Sequence, residues 1–480
     1  MKIYKYLLFI AVTIFILLFF GCSRVNIDEE YEDEGEFPIP EIKDIEIWGA
    51  WTTFTQETID ELIEEFELDY PEFTLSIAMD KASPENLTAA IAAETMPDLI
   101  VWDEIIYCYF HRFIQPMDPY MAMDPSFDRE DYLEMVYLFN DIKDETWALS
   151  MSASTVVLMY NKDMFEAYGL DPENPPERWS EMIEIQKALT KRNSRGLVEQ
   201  TGFADFDLDG LGQGYIWFVA NLYDGTNYLD TEGCYKMRIN TESVYEAAEL
   251  YRTLHGIYGG KKKLAPEIET LLPQAAFTAG RLGMRLTDNL SSMIGHDFNV
   301  GITPFPNSDH IAPDMYVNAL PQFSYMIVRN CPNPMGAWYY LKWHNLRGLL
   351  INENCNYNKD PTTYVPRFMT NTYARTRIAD IYYDYLDGET RKSIEKRDAM
   401  IMNMNLIYNP WPANGRQRFF LFGSVTDIFT KPNQNQDIRA RLADTQRTAD
   451  DWVNEWLAER EKEGWLFPED NPWGIPPEFV

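Results

Sequence analysis

From Asp44 to Trp102 the chain alternates short β-forming runs with amphipathic ones, and this alternation limits the fold more than any other feature. DIEIWGA (44–50), FTLSIAM (73–79) and PDLIVW (97–102) have strand length and strand composition. Between the first two, TQETIDELIEEFELDYPEF places Ile59, Leu62, Ile63 and Phe66 at helical spacing beside an acidic face, and Pro71 ends the helix. NLTAAIAAET, from about Asn86, predicts a second helix. Strand–helix–strand–helix–strand is the rhythm of an α/β layer with a parallel core.

The same reading continues downstream. WALSMSASTVVLMY (147–160) is extended and apolar, and Asn161-Lys162-Asp163 then open a short helix closed by Gly169. NPPERWSEMIEIQKALTKR predicts a helix with prolines at its start. Helices are expected over 241–254 and 437–462, and in NPMGAWYYLKWHN (333–345). AAFTAGRLGMRLTD (275–288) reads as a helix, a glycine and a strand; NVGITPFP (299–306) and FSYMIVRN (323–330) read as strands. About 440 residues follow residue 41. That is long for one hydrophobic core and predicts two lobes or more.

The N-terminus carries a targeting signal. Lys2 and Lys5 precede an apolar run from Leu7 to Phe20, which stops at Gly21-Cys22. Two readings stand: a cleaved signal (1–22) ending at a lipid-modified Cys22, or an uncleaved anchor stretching from Ile3 to Cys22. Phe19-Phe20-Gly21-Cys22 resembles the bacterial lipobox, with bulky rings where that motif prefers a leucine and a small residue. NIDEEYEDEGE (26–36) predicts a disordered acidic tether within 23–41, ended by Pro38 and Pro40, so the folded body begins near Ile42. The chain has 41 basic and 76 acidic residues, a formal charge of −35. No broad basic field exists to meet nucleic-acid phosphate. Cys108, Cys234, Cys331 and Cys355 form no CxxC, which leaves open one disulfide or four free thiols.

Seven stretches carry a resemblance: IEIWGAWTTF (45–54), MPDLIVW (96–102), VVLMYNKDMFEAYGL (156–170), NPPERWSEM (174–182), AAFTAGRLGM (275–284), NVGITPFPNSD (299–309) and MIVRNCPNPMGAWYYLKW (326–343). In this order they resemble extracellular solute-binding protein family 1, the carbohydrate-type substrate-binding lipoproteins of ABC transporters. The resemblance implies an α/β, periplasmic-binding-protein-like fold: two α/β lobes joined by a hinge, with the ligand cleft between them. Mapped onto the chain, lobe one is 42–150 plus 308–375 and lobe two is 151–307 plus 376–480, with crossings near 149–157 and 303–307. It further implies a monomer without cofactor, outside the cell membrane and lipid-anchored there. The implied partners are a sugar or oligosaccharide and the ABC permease subunits. The resemblance thins after about residue 350, where 350–435 carries many aromatics and arginines that the family pattern does not explain.

A sugar cleft combines flat rings with hydrogen-bonding side chains. In α/β lobes ligands gather at the carboxyl ends of strands. That nominates Trp51 and Thr52 past the first strand, against simple lobe packing; Trp48, inside the strand, reads as core. Trp102 and Asp103 end the third strand, against strand-end packing and a helix cap. Tyr160 stands beside the implied hinge, against core support beneath it. Gln213, Tyr215 and Trp217 open an implied cleft-facing helix, although Trp217 equally fits between helix and sheet. Arg285, Asp288 and Asn289 follow the 275–280 helix, where the family often places a stacking Trp that this chain lacks. Tyr316, Tyr408 and Trp411 are candidates to replace that ring. DFDLDGLGQGYI (205–216) puts Asp205, Asp207 and Asp209 at calcium-loop spacing, with Gly210 at the sixth position; Ile216 stands where a bidentate Glu belongs, and a solvated polar loop is the alternative.

Two other classes compete. A secreted, lipid-anchored glycoside hydrolase needs two carboxylates at fixed separation, and among 76 acidic residues chance pairs are inevitable. No serine nucleophile elbow, HExxH or cysteine–histidine pair occurs, and His111, His255, His296, His310 and His344 have no ligand spacing. A non-catalytic carbohydrate-binding or adhesive surface protein explains the anchor and the acidity but not the α/β order.

Overall fold

The computed structural model describes residues 38–50, 55–102, 105–142, 144–203, 219–220, 222–223, 239–269, 271, 273–287, 290, 297–312, 316–348, 372–373, 388, 391–396, 405–407, 437–467 and 477. Among these residues the strands are β1 (Asp44–Gly49), β2 (Thr74–Ala78), β3 (Leu99–Val101), β4 (Asp141–Ile142), β5 (Glu145–Thr146), β6 (Leu149–Thr155), β7 (Val157–Asn161), β8 (Lys191–Arg192), β9 (Val198–Phe203), β10 (Leu282–Thr287), β11 (Val300–Pro304), β12 (Tyr316–Ile327), β13 (Thr372–Tyr373) and β14 (Asn405–Ile407). They form two main sheets. The first runs β13-β6-β12-β3-β1-β2, with β14 added beside β12; the second runs β11-β7-β10-β9-β8. β4 and β5 make a separate two-stranded ribbon.

The opening β-α-β-α-β rhythm forms as its sequence predicts. β1 pairs in parallel with both β2 and β3. Helix Gln56–Asp69 covers this layer. Thr55 caps it by accepting the Thr58 N–H at 3.3 Å. Its stripe of Ile59, Leu62 and Phe66 is buried, each side chain contributing about 1.5–3 kcal/mol. Phe66 meets Tyr340 and Trp343 of helix Pro334–Trp343 edge to face, with ring centroids 5.5 and 5.2 Å away. Just past that helix Arg347 binds Asp69 at 2.6 Å and Glu65 at 3.0 Å.

The amino ends of these elements share one polar knot. The buried Asp98 carboxylate accepts the N–H of Glu46 at 2.9 Å and of Asn333 at 2.6 Å. Asn333 also caps helix Pro334–Trp343 and donates to the carbonyls of Ile42 and Asp44 at 2.9 and 3.0 Å. Burial pushes the Asp98 carboxyl above the usual range, and its two backbone donors oppose that shift. Cys108 and Cys331 are both buried; Cys22, Cys234 and Cys355 lie outside the described residues.

The extended run 147–160 is two strands in two different sheets. β6 ends at Thr155 in the first sheet and β7 begins at Val157 in the second. The strand read at 323–330 is longer than its hydrophobic run, starting at Tyr316, because β6 supplies a ladder from Ala319 to Tyr325. Helix Glu242–Tyr258 begins at a Thr241 cap and ends at Gly259, whose φ of 90° only glycine adopts without strain. Asn405–Ile407 pairs with Tyr316–Asn318, so part of the 376–480 stretch lies with the first sheet. Helix Ile438–Lys462 instead packs Ile438, Leu442 and Ala449 into the apolar cluster of the second sheet.

Candidate ligand cleft

Strand direction alone locates the junction between the two sheets. β12 runs antiparallel to both β3 and β6. β6 therefore runs the same way as β3 and β1; it starts level with the carboxyl end of β3 and extends past that edge. In the second sheet β7 runs antiparallel to β10, which is parallel to β9. The amino end of β7 thus lies at the edge that carries the carboxyl ends of β9 and β10. The single residue Val156 joins these two edges. The return path obeys the same rule. β11 runs parallel to β10 and ends at Pro304, and β12 starts at the matching edge of the first sheet. Both crossings leave from carboxyl edges, so the carboxyl ends of β1, β3, β9 and β10 face one junction. This is where ligands bind in open α/β sheets.

The second crossing is bonded to the second sheet's body before it leaves. The Trp179 indole donates to the Pro306 carbonyl at 2.8 Å, and its backbone N–H to the Asn307 carbonyl at 3.1 Å. Arg178 donates to the carbonyls of Ser308, at 3.0 Å, and of Ile311. Asp309 accepts the Ser180 N–H at 3.1 Å, placing a carboxylate at the start of helix Trp179–Leu189. Asn307 is fully buried, and its N–H reaches the Glu177 carbonyl at 3.1 Å. The sequence pattern found Trp179 as a helix start, but not as a clamp on residues about 130 positions away. Only its place in PPERW hinted at a special role.

Some nominated residues can be placed. Trp102 follows β3, is 7% exposed, and donates its N–H to the Ser324 carbonyl at 2.9 Å. Tyr160 is buried at the next-to-last position of β7, and its hydroxyl donates to the Pro172 carbonyl at 2.9 Å. That hydroxyl is committed to the protein's own backbone. Burial, helped by Glu173 and Asp171, pushes its pKa up to about 12. Arg285 sits within β10 opposite Met159. Tyr316 opens β12 opposite Asn405. Trp48 is core, 5% exposed, with the Lys81 ammonium 3.9 Å above its ring and Glu46 accepting its indole N–H at 2.6 Å. Trp51, Thr52, Asp103, Gln213, Tyr215, Trp217, Asp288, Asn289, Tyr408 and Trp411 lie outside the described residues, as do Asp205, Asp207 and Asp209. Trp51 and Thr52 follow β1 and Asp288 and Asn289 follow β10, two of the strands whose carboxyl ends meet the junction.

A polar seam crosses the first sheet where β6 begins. The Ser150 and Ser324 hydroxyls are 2.9 Å apart, and Asn140 donates to Ser150 at 3.1 Å. The serines of LSMSAST were read only as part of an extended run; nothing in one strand's sequence announces the partner 174 residues on.

Two α/β bodies meeting at the carboxyl ends of their strands, with the chain crossing between them at that junction, define a two-lobe binding protein of the periplasmic type. The model of the bacterial extracellular solute-binding protein family matches residues 52–344. The chain belongs to that family.

Relatives fill in the comparison. The sn-glycerol-3-phosphate-binding periplasmic protein UgpB of Agrobacterium fabrum is 26% identical over 279 residues, covering 55% of this chain and 61% of that protein. The chain thus spans less than two thirds of that relative's length. CpMnBP1 with mannotriose bound superposes with a TM-score of 0.62 at 19% identity, over 85% of this chain and all of that one. The sugar-binding protein MalE from Xanthomonas citri gives 0.61 at 15% identity, over 87% and 100%. At such identity the likeness is one of fold. These named relatives are binding proteins. Among the described residues no helix is long and apolar enough to cross a membrane.

Proposed function

We propose that this chain captures a carbohydrate, an oligosaccharide in particular, in the cleft between its lobes and delivers it to the permease of an ABC importer. The observation that carries the reading is the junction: two sheets that present the carboxyl ends of β1, β3, β9 and β10 to one another across two crossings. The lobes are those laid out from the sequence, with Asn405–Ile407 added to the first. Trp51, Trp102, Tyr215, Tyr316 and Trp411 supply stacking surface; Thr52, Asp103, Gln213, Arg285, Asp288 and Asn289 supply hydrogen bonds. No covalent chemistry is involved. Ligand bridges the lobes and shifts the population toward the closed form, which docks on the permease. The protein works as a monomer outside the cell, held at the membrane by diacylglycerol on Cys22.

A second reading has its own support. The curated relatives at 26% identity are named for sn-glycerol 3-phosphate. One panel separates the alternatives: mono- and oligosaccharides beside sn-glycerol 3-phosphate, read by melting temperature and by X-ray scattering. The sugar reading expects at least one saccharide to raise the melting temperature and compact the chain. A response to the phosphate ester alone selects the second reading. A panel without any response refutes both, and hydrolysis of a saccharide places the chain among the glycoside hydrolases.

A further inference from the structure

Helix Ile438–Lys462 has 25 residues, roughly 37 Å at 1.5 Å per residue. One end is bonded to the second lobe. Arg439 pairs with both carboxylate oxygens of Glu242 at 2.8 Å, and its guanidinium lies 3.6 Å over the Tyr245 ring. Gln446 accepts the N–H groups of Ile239 and Asn240 at 2.7 and 3.1 Å. Ile438, Leu442 and Ala449 are buried there.

The other end meets the first lobe. Gly464, with a φ of 87°, reverses the chain past the helix, and the Trp465 N–H returns to the Arg460 carbonyl at 3.0 Å. This turn sets Trp465 edge-on against His111, with ring centroids 5.0 Å apart and planes at 75°. Trp456 and Phe467 complete the aromatic cluster, 5.9 and 6.5 Å from Trp465. His111 is part of the first lobe. It is buried and stacked on Phe113, and the adjacent Ile114 bridges to Val328 beyond β12.

We propose that this C-terminal helix is a strap between the lobes, fixed to the second by Arg439 and Gln446, and that the Trp465–His111 contact is a latch setting the resting angle of the ligand-free protein. The two crossings let the lobes rotate about the junction. A rigid helix bonded to one lobe and leaning on the other must then slide or lift. An edge-on contact of a half-buried ring, made without a hydrogen bond across it, is suited to release and re-form. The inference rests on the two-lobe fold and not on which ligand binds, so its test uses no ligand.

The test is small-angle scattering of the mature chain and four variants. A compact chain of about 440 residues has a radius of gyration of roughly 22 Å. Trp465→Ala and His111→Ala are each expected to shift it by about 3–5%, and the double variant no further, because either change removes the same contact. Trp465→Phe keeps the edge contact and the wild-type radius. Trp465 is only half-buried, so Trp465→Ala carries the test even if His111→Ala does not fold. An unchanged radius in the folded single variants, or additive shifts in the double, overturns the strap.

Discussion

Gly301→Ala separates packing from ligand recognition at Tyr160. Gly301 lies directly opposite Tyr160 across β7 and β11. A Cβ on Gly301 would stand 2.2 Å from Tyr160 Cζ and 2.5 Å from both Cε1 and Oη. No side chain tolerates that approach, so the ring must move. It is also held where it is: 2% exposed, 5.1 Å from the Phe165 ring, with its hydroxyl on the Pro172 carbonyl. Overpacking a filled site costs about 1–3 kcal/mol, and loss of the Pro172 hydrogen bond about 1 kcal/mol more. The sum is about 2–4 kcal/mol. At about 2–4 °C per kcal/mol for a unit of this size, the melting midpoint should fall by roughly 4–16 °C. Tyr160→Phe leaves the ring over the glycine and should cost only about 1 kcal/mol. It should leave ligand affinity unchanged, because the hydroxyl already serves Pro172. Calorimetry of the two variants, and of Gly301→Ala in a Tyr160→Ala background, checks the account. Gly301→Ala melting with the wild type, or costing as much once the ring is gone, would refute the clash.

One further outcome follows from the structure and one from the sequence. Burial beside Phe113 and Trp465 holds the His111 imidazole near a pKa of about 3, against 6.5 ordinarily. The unfolded chain binds this proton below about pH 6.5 and the folded chain does not. Stability from this site is therefore level above that pH and falls by up to about 1.4 kcal/mol per unit below it. His111→Gln should flatten that part of the urea-midpoint profile between pH 7.5 and 5, and an identical slope in both proteins rules out a buried neutral imidazole. At the N-terminus, Cys22→Ala should release the protein from the membrane fraction on immunoblot, whereas retention there points to an uncleaved helix.

The local elements were legible because each depends on neighbours in sequence. Ile59, Leu62 and Phe66 mark a helix face whether or not the partner is known, and Thr55, Thr241 and Asn333 cap helices within three residues of themselves. The family was legible for the same reason: its seven stretches are local strand, cap and turn solutions repeated in a set order. The clamp of Trp179 on Pro306 and the pairing of Ser150 with Ser324 were not, since each joins residues more than a hundred positions apart. Tyr160 shows the limit for the cleft. Its type and place suit a stacking ring, and only the fold shows its hydroxyl bonded to Pro172.

The sequence alone determined that this chain alternates strands and helices, and that it holds more residues than one core accommodates. Periodicity, capping and composition are properties of short windows, so they survive without coordinates. Tertiary structure decided that the extended run at 147–160 divides at Val156 between two sheets, and that the crossings join carboxyl edges. It also decided that the last helix reaches from Glu242 to His111. Strand direction and inter-lobe contact are relations between distant segments, and they exist only once the backbone hydrogen bonds have been distributed between the sheets.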